Sequence, residues 1–135
     1  MIADTSGLLA FFNRDEPDHA RVAAEVEAAT EPLVVSPYVV AELDYLVATR
    51  LGIAAELTIL DELAGGAYHL AAFGLAELAR ARAVVKRYQD QQIGVADASI
   101  VVLADLHRTR EVLTLDRRHF DVLRPLSGGR FRLRP

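Results

Sequence analysis

The opening stretch Met1, Ile2, Ala3, Asp4, Thr5, Ser6 decides how the rest of the chain is read. A short apolar run meets an aspartate and two hydroxyls, after which Leu8, Leu9, Phe11 and Phe12 take up helical spacing. Three apolar residues establish no strand by periodicity alone, but Asp, Thr and Ser are the side chains that cap helix N-termini. The expectation is a buried strand ending in a carboxylate at a helix start. In open α/β sheets the carboxyl ends of parallel strands are where ligands and ions bind. Asp4 is therefore the point on which later acids are expected to converge.

Outward from this junction the same pattern recurs. Glu16, Pro17 and Asp18 open a second helix, with Pro17 in its first turn, where a missing N–H costs nothing. Leu33, Val34 and Val35 form a short β-prone run, and Ser36 followed by Pro37 restarts a helix that runs to about Leu51, with Gly52 as its stop. A further helix passes through Leu57, Leu60 and Leu63 to Gly65 and Gly66, and Tyr68 to Ala72 form a third strand. Leu75 to Tyr88 read as an amphipathic helix whose polar side carries Arg80, Arg82, Lys86 and Arg87. Asp97 precedes Ile100, Val101, Val102, Leu103 and Leu106, apolar nearly all round a helix and so buried on most sides. Val112 to Leu115 make a fourth strand ending at Asp116, and Phe131 to Leu133 a fifth at the edge. Strands alternating with helices predict an α/β fold, a mainly parallel sheet of about five strands with helices on both faces. With no repeat, low-complexity tract or linker, residues 1–135 read as a single domain.

Composition narrows the chemistry. A chain of 135 residues can bury a full core. It has no cysteine, which excludes disulfides and thiolate metal sites and leaves oxygen or imidazole as ligands. No basic segment followed by a long apolar one stands at the start, and the longest later apolar run, Ala98 to Ala104 around Ser99, is far shorter than the ~20 residues that span a bilayer. The expectation is a soluble, cytoplasmic protein that engages no membrane. The net charge of −4 conceals an asymmetry: residues 1–106 hold 7 basic and 16 acidic residues, whereas residues 107–135 hold 8 arginines against Glu111, Asp116 and Asp121. A basic end on an acidic protein is suited to gripping phosphates, although a solvated polar terminus has the same composition.

Three acids stand at element junctions: Asp4, Asp97 and Asp116. Glu42 is the fourth candidate, since at 100° per residue it lies near Val39 and Leu46 on the edge of its helix's apolar face, while Asp44 points away toward solvent. Singly, each aspartate reads as a helix cap and Glu42 as a surface residue. Together they demand a partner, because carboxylates about 5 Å apart repel by roughly 3 kcal/mol per pair at an effective dielectric near 20. Oxygen ligands without cysteine or paired histidines favour a hard ion, Mg²⁺ or Mn²⁺. Such an ion beside a basic surface fits phosphodiester hydrolysis. His19, His69, His107 and His119 lack the spacing of a helical metal pair.

These residues resemble a known family. Asp4-Thr5-Ser6, then Ser36-Pro37 leading to Ala41-Glu42-Leu43, then Val95-Ala96-Asp97-Ala98-Ser99-Ile100, and finally Val112-Leu113-Thr114-Leu115-Asp116-Arg117-Arg118-His119-Phe120 are similar, in order and distance, to PIN-domain ribonucleases. Within that group the chain resembles the VapC toxins of bacterial VapBC toxin–antitoxin pairs. The resemblance implies a three-layer α/β/α sandwich, with Asp4 and Asp97 as main ligands of Mg²⁺ or Mn²⁺. Glu42 and Asp116 then complete the acidic cluster, and Ser6 and Thr114 support it. It further implies endoribonuclease activity on structured RNA, tRNA or rRNA; Arg117, Arg118 or His119 are expected to meet phosphates, although the family does not fix those positions. The implied partners are a small VapB-like antitoxin and a second copy of the chain, in a homodimer and a toxin–antitoxin hetero-oligomer.

Rival α/β modules fit less well. A phosphoacceptor signalling module needs a lysine late in the sheet, and the one lysine, Lys86, precedes Asp97. A phosphatase working through an aspartyl-phosphate wants a second aspartate two residues after Asp4, where Ser6 stands. A non-catalytic binding module would have no need of four intact acids.

Overall fold

A computed structural model describes all residues 1–135. Its centre is a five-stranded sheet of order β3-β2-β1-β4-β5, formed by Ile2–Ala3 (β1), Val34–Val35 (β2), His69–Leu70 (β3), Glu111–Leu113 (β4) and Arg132–Arg134 (β5). Every pairing is parallel, with Ile2 opposite both Val34 and Val112. Successive strand residues point to opposite faces. Ile2, Ala3, Val112 and Leu113 are all fully buried, so helices cover both faces of the sheet centre, as all-parallel sheets require.

The chain leaves central β1 toward β2 and β3 on one side and returns to β4 and β5 on the other. The direction of winding therefore reverses between β1 and β4, the place where such sheets open a crevice at their carboxyl edge. Asp4 follows β1 and Asp116 follows β4, so both acids stand at that reversal.

The helices are Thr5–Phe12 (α1), His19–Glu27 (α2), Pro37–Arg50 (α3), Ile53–Ala64 (α4), Leu75–Arg87 (α5), Val95–Leu106 (α6) and Arg117–Phe120 (α7). Asp4 caps α1 and Ser36 caps α3, each with its side chain accepting from the backbone N–H two residues on. Residues Ala98 to Ala104 of α6 are all buried, which makes it the central helix of the core. The first turn of α1 lies so close to β4 that a Cβ on Gly7 would stand 2.6 Å from the carbonyl oxygen of Leu113. Only glycine allows that approach. Ser36 and Ser99, both fully buried, place their hydroxyls 2.6 Å apart and tie the head of α3 to the second turn of α6.

Several local expectations shift. Pro17 lies outside α2, which Asp18 precedes. Asp97 does not precede α6 but is its third residue, because Gly94 takes the capping position and the Asp97 carboxylate reaches back to the Gly94 N–H at 3.4 Å. β4 stops at Leu113, since Thr114 and Asp116 turn their side chains to local caps that begin the short α7. Asp44 is half-buried against α4 rather than solvent-directed, and its carboxyl beside Glu56 pushes the pKa of that residue up, after burial, which acts more strongly. No helix is long and apolar enough to cross a membrane.

Candidate active site

A cavity of about 280 Å³ opens at the carboxyl edge of the sheet, lined by Asp4, Thr5, Ser6, Leu9, Glu42, Leu46, Arg50, Asp97, Asp116 and His119. Four separate elements deliver the four acids: the end of β1, α3, the first turn of α6 and the loop after β4. Arg117 and Arg118 are exposed and lie outside this lining.

Asp4 is the most enclosed of the acids, only 5% exposed. The hydroxyls of Ser6 and Thr114 donate to its Oδ2 at 2.6 and 2.7 Å, and the Ser6 N–H reaches the same atom at 3.3 Å. No side chain donates to Oδ1. Burial pushes the Asp4 pKa above its ordinary value, and the hydroxyl hydrogen bonds offset part of that rise. Both hydroxyls spend their one proton on Asp4, so their mutual 3.2 Å approach is a contact between two acceptors. Their lone pairs bind the loop after β4: Ser6 Oγ accepts from the Leu115 N–H and Thr114 Oγ1 from the Asp116 N–H, each at 2.9 Å. Two small side chains thus fix one oxygen of Asp4 and the loop that carries Asp116.

Glu42 is held from α1. Thr5, itself buried, donates its hydroxyl to Glu42 Oε2 at 2.5 Å across the contact of α1 with α3. Asp97 has few donors, and its pKa is raised to about 6, first by burial and then by the neighbouring Asp4 and Asp116, with His119 acting in the opposite direction. His119 stands between two acids, with Nδ1 3.4 Å from Asp97 Oδ2 and 3.1 Å from Asp116 Oδ2. That buried nitrogen lies within ion-pairing distance of both carboxylates but is aligned for a hydrogen bond to neither. Its backbone N–H donates to Asp116 Oδ1 at 3.1 Å, so Asp116 caps the helix that carries His119.

The donor set suits a hard divalent cation: carboxylate oxygens, hydroxyls, one anchored aspartate with a free oxygen, and raised acid pKa values that a cation would relieve. The carboxylates line the walls and do not meet at a single point, as no three Asp, Glu or His side chains stand in ligating array. Binding an ion therefore entails drawing side chains inward.

Thr5 and Arg50 are the lining residues to which the sequence attached no role. Thr5 sits in the decisive opening stretch, but its partner lies 37 residues away on another helix. Arg50 carried a weak signal, being two successive four-residue steps beyond Glu42 through Leu46 on α3.

An acid-lined crevice at the reversal of a parallel sheet is where α/β hydrolytic enzymes place their chemistry, and residues 1–124 match the family model described as PIN domain. Ribonuclease VapC26 of Mycobacterium tuberculosis is 62% identical over 135 residues, the whole of both chains. The chain therefore belongs to the PIN-domain family, in its VapC ribonuclease branch. Among solved structures, VapC20 of Mycobacterium tuberculosis, described as a sarcin–ricin loop cleaving toxin, superposes with a TM-score of 0.83 at 16% identity, over 99% of this chain and 98% of that one. FitAcB from Neisseria gonorrhoeae gives a TM-score of 0.63 at 24% identity over 89% and 90%. These two likenesses speak for the fold: a three-layer α/β sandwich shared across low identity.

Proposed function

We propose that this chain is a divalent-metal-dependent endoribonuclease and the toxin half of a toxin–antitoxin pair, hydrolysing phosphodiester bonds in structured cellular RNA, tRNA or rRNA, in the cytoplasm. The observation that carries the reading is the single cavity lined by Asp4, Glu42, Asp97 and Asp116, reached from four elements spread over the whole chain. Asp4 and Asp97 would hold Mg²⁺ or Mn²⁺, with Glu42 and Asp116 completing the ligand set or orienting water. Bound there, such an ion would supply a nucleophilic water near neutral pH and stabilise charge on the attacked phosphate.

The chain's own residues prepare that chemistry. Ser6 and Thr114 fix Asp4 through Oδ2 and leave Oδ1 toward the cavity, while Thr5 fixes the Glu42 carboxylate. His119 sets its ring between Asp97 and Asp116, within ion-pairing distance of both carboxylates. Arg117 and Arg118, exposed at the start of α7 beside Asp116 and outside the cavity lining, would meet RNA phosphates further along the strand. A small VapB-like protein and a second copy of this chain are the partners that membership of the VapC branch favours.

The test is induction of the full chain followed by mapping of RNA 5′ ends. Growth arrest and discrete cuts are expected, both relieved by co-expressing the product of a small open reading frame directly upstream of its gene, if one is found there. With the purified chain, Asp4→Asn and Asp97→Asn lose cleavage by on the order of 100-fold or more while keeping their circular dichroism. Undiminished cutting by either variant rejects the assignment.

A further inference from the structure

Arg50 is the only arginine or lysine in the lining of the acidic cavity. It is exposed, and none of the ion pairs in the molecule includes it: the arginines that find carboxylates are Arg21, Arg80 and Arg134. Its own helix offers no acid three or four residues away, where Leu46 and Val47 stand, and the next helix puts Ile53 and Ala54 there. Glu42, the acid on the same helix that faces the cavity, is drawn toward α1 by Thr5. A guanidinium beside four acids that is neutralised by none of them retains its five donors for a ligand.

We propose that Arg50 grips an RNA phosphate next to the scissile one and so positions the strand across the acids. This rests on the ribonuclease reading and gives it a strand-holding residue. Glu42 and Arg50 are eight residues apart on α3, about 12 Å along the helix axis. A helical side chain leans toward the N-terminus of its helix, so the guanidinium reaches back over Leu46 toward the acids without arriving among them. At that offset it meets a flanking phosphate, and the scissile group remains with the carboxylates. An acidic cavity repels the RNA backbone, and a fixed cation at its rim supplies the local attraction that brings the strand over the acids. The competing explanation is structural: Arg50 occupies the last turn of α3, where a cation favours the helix dipole.

The experiment measures cleavage of a short fluorescent RNA carrying the cut site mapped from 5′ ends, using the full chain with Mn²⁺. Arg50→Ala is expected to raise KM by about tenfold with kcat changed less than about twofold, the loss of one charge-assisted phosphate contact. The slope of log KM against log salt should fall by about 0.7, one phosphate contact to a single strand. Arg50→Lys should recover part of KM, because it keeps the charge and loses the planar fork. Arg14→Ala, an equal loss of charge outside the cavity, should leave KM and slope unchanged. An active Arg50→Ala with unaltered KM and salt slope overturns the proposal and leaves the nuclease reading intact. So does a lowered melting temperature as its only effect, tighter Mn²⁺ binding at unaltered KM, or an Arg14→Ala effect of equal size. Absence of metal-dependent cleavage by the unmodified chain overturns both.

Discussion

The two ends of strand β4 carry the same kind of group and treat it in opposite ways. At its amino end Glu111 meets the Arg134 guanidinium at 2.9 Å, and that hydrogen bond and charge hold the Glu111 carboxyl below the ordinary carboxylate range. At its carboxyl end Asp116 joins Asp4 and Asp97, and the Asp97 pKa rises to about 6. The amino end also has larger cavities, one of about 570 Å³ lined by Met1, Glu31, Pro32, Val34, His69, His107 and Thr109. Volume alone would direct attention to the wrong end. What separates them is charge compensation: the amino end pairs Glu25 and Glu111 with the Arg134 guanidinium, and the carboxyl end crowds Asp4, Asp97 and Asp116 with only His119 between them, as functional sites tend to do.

The sharpest way to break this comparison is to remove the strain from the uncompensated end. The folded-state pKa of Asp97 is about 6, against roughly 3.9 in an unfolded chain. Below about pH 4 the group is protonated in both states and contributes nothing. Between about pH 4 and 6 the unfolded chain ionises first, so stability falls as pH rises, and above about pH 6 the full penalty remains. The shift corresponds to about 3 kcal/mol, reduced to about 2 kcal/mol for residual solvent contact. Metal-free Asp97→Asn should therefore exceed the unmodified chain in stability by about 2 kcal/mol near pH 7.5, with the advantage gone near pH 4. Mn²⁺ should raise the melting temperature of the unmodified chain more than that of the variant. A gap that stays constant across this range in chemical denaturation would show that Asp97 is already compensated.

The second break targets the anchoring of Asp4. Thr114→Val keeps the shape of a residue that is 2% exposed but deletes the donor to Asp4 and the acceptor for the Asp116 N–H. Asp4 then loses one of the bonds that hold its pKa down, so its pKa rises further and the acid limb of the cleavage profile moves to higher pH. Cleavage should fall about tenfold, in the range of outer-sphere changes at metal sites, and Thr114→Ser should restore most of it. A pH–rate profile identical for the valine and serine variants would place Thr114 outside the site.

That contrast also explains what the sequence could convey. Caps are local, so Ser36-Pro37 announces the start of α3 and Asp4 the start of α1, even though their strands are only two residues long. Asp97 stands inside α6 and not before it because Gly94 and the aspartate three residues on share one cap, and the short α7 after Asp116 has no periodic pattern to announce it. The sheet order followed from alternation only as a class, since nothing in the residues of β5 states that it pairs with β4. Side-chain anchoring was least visible. Thr5 to Glu42 spans 37 residues and Thr114 to Asp4 spans 110, and each exists only once helices and strands have packed.

The smallest effect belongs to the compensated end, and it tests whether that end is inert. Glu111 is 38% and Arg134 42% exposed at the side chain, so solvent screens their attraction. Because the folded pKa of Glu111 is lowered, its contribution is present above the unfolded value of roughly 4.3 and is lost as pH falls through the folded one. Glu111→Gln should cost less than about 1 kcal/mol at neutral pH, and the loss should shrink in high salt. RNA cleavage should be unchanged, since Glu111 lies at the far end of β4 from the acid-lined cavity. Even a few-fold loss of cleavage, with stability intact, would mean that the two ends are coupled through β4. The contrast between paired and unpaired charge would then fail to separate scaffold from site.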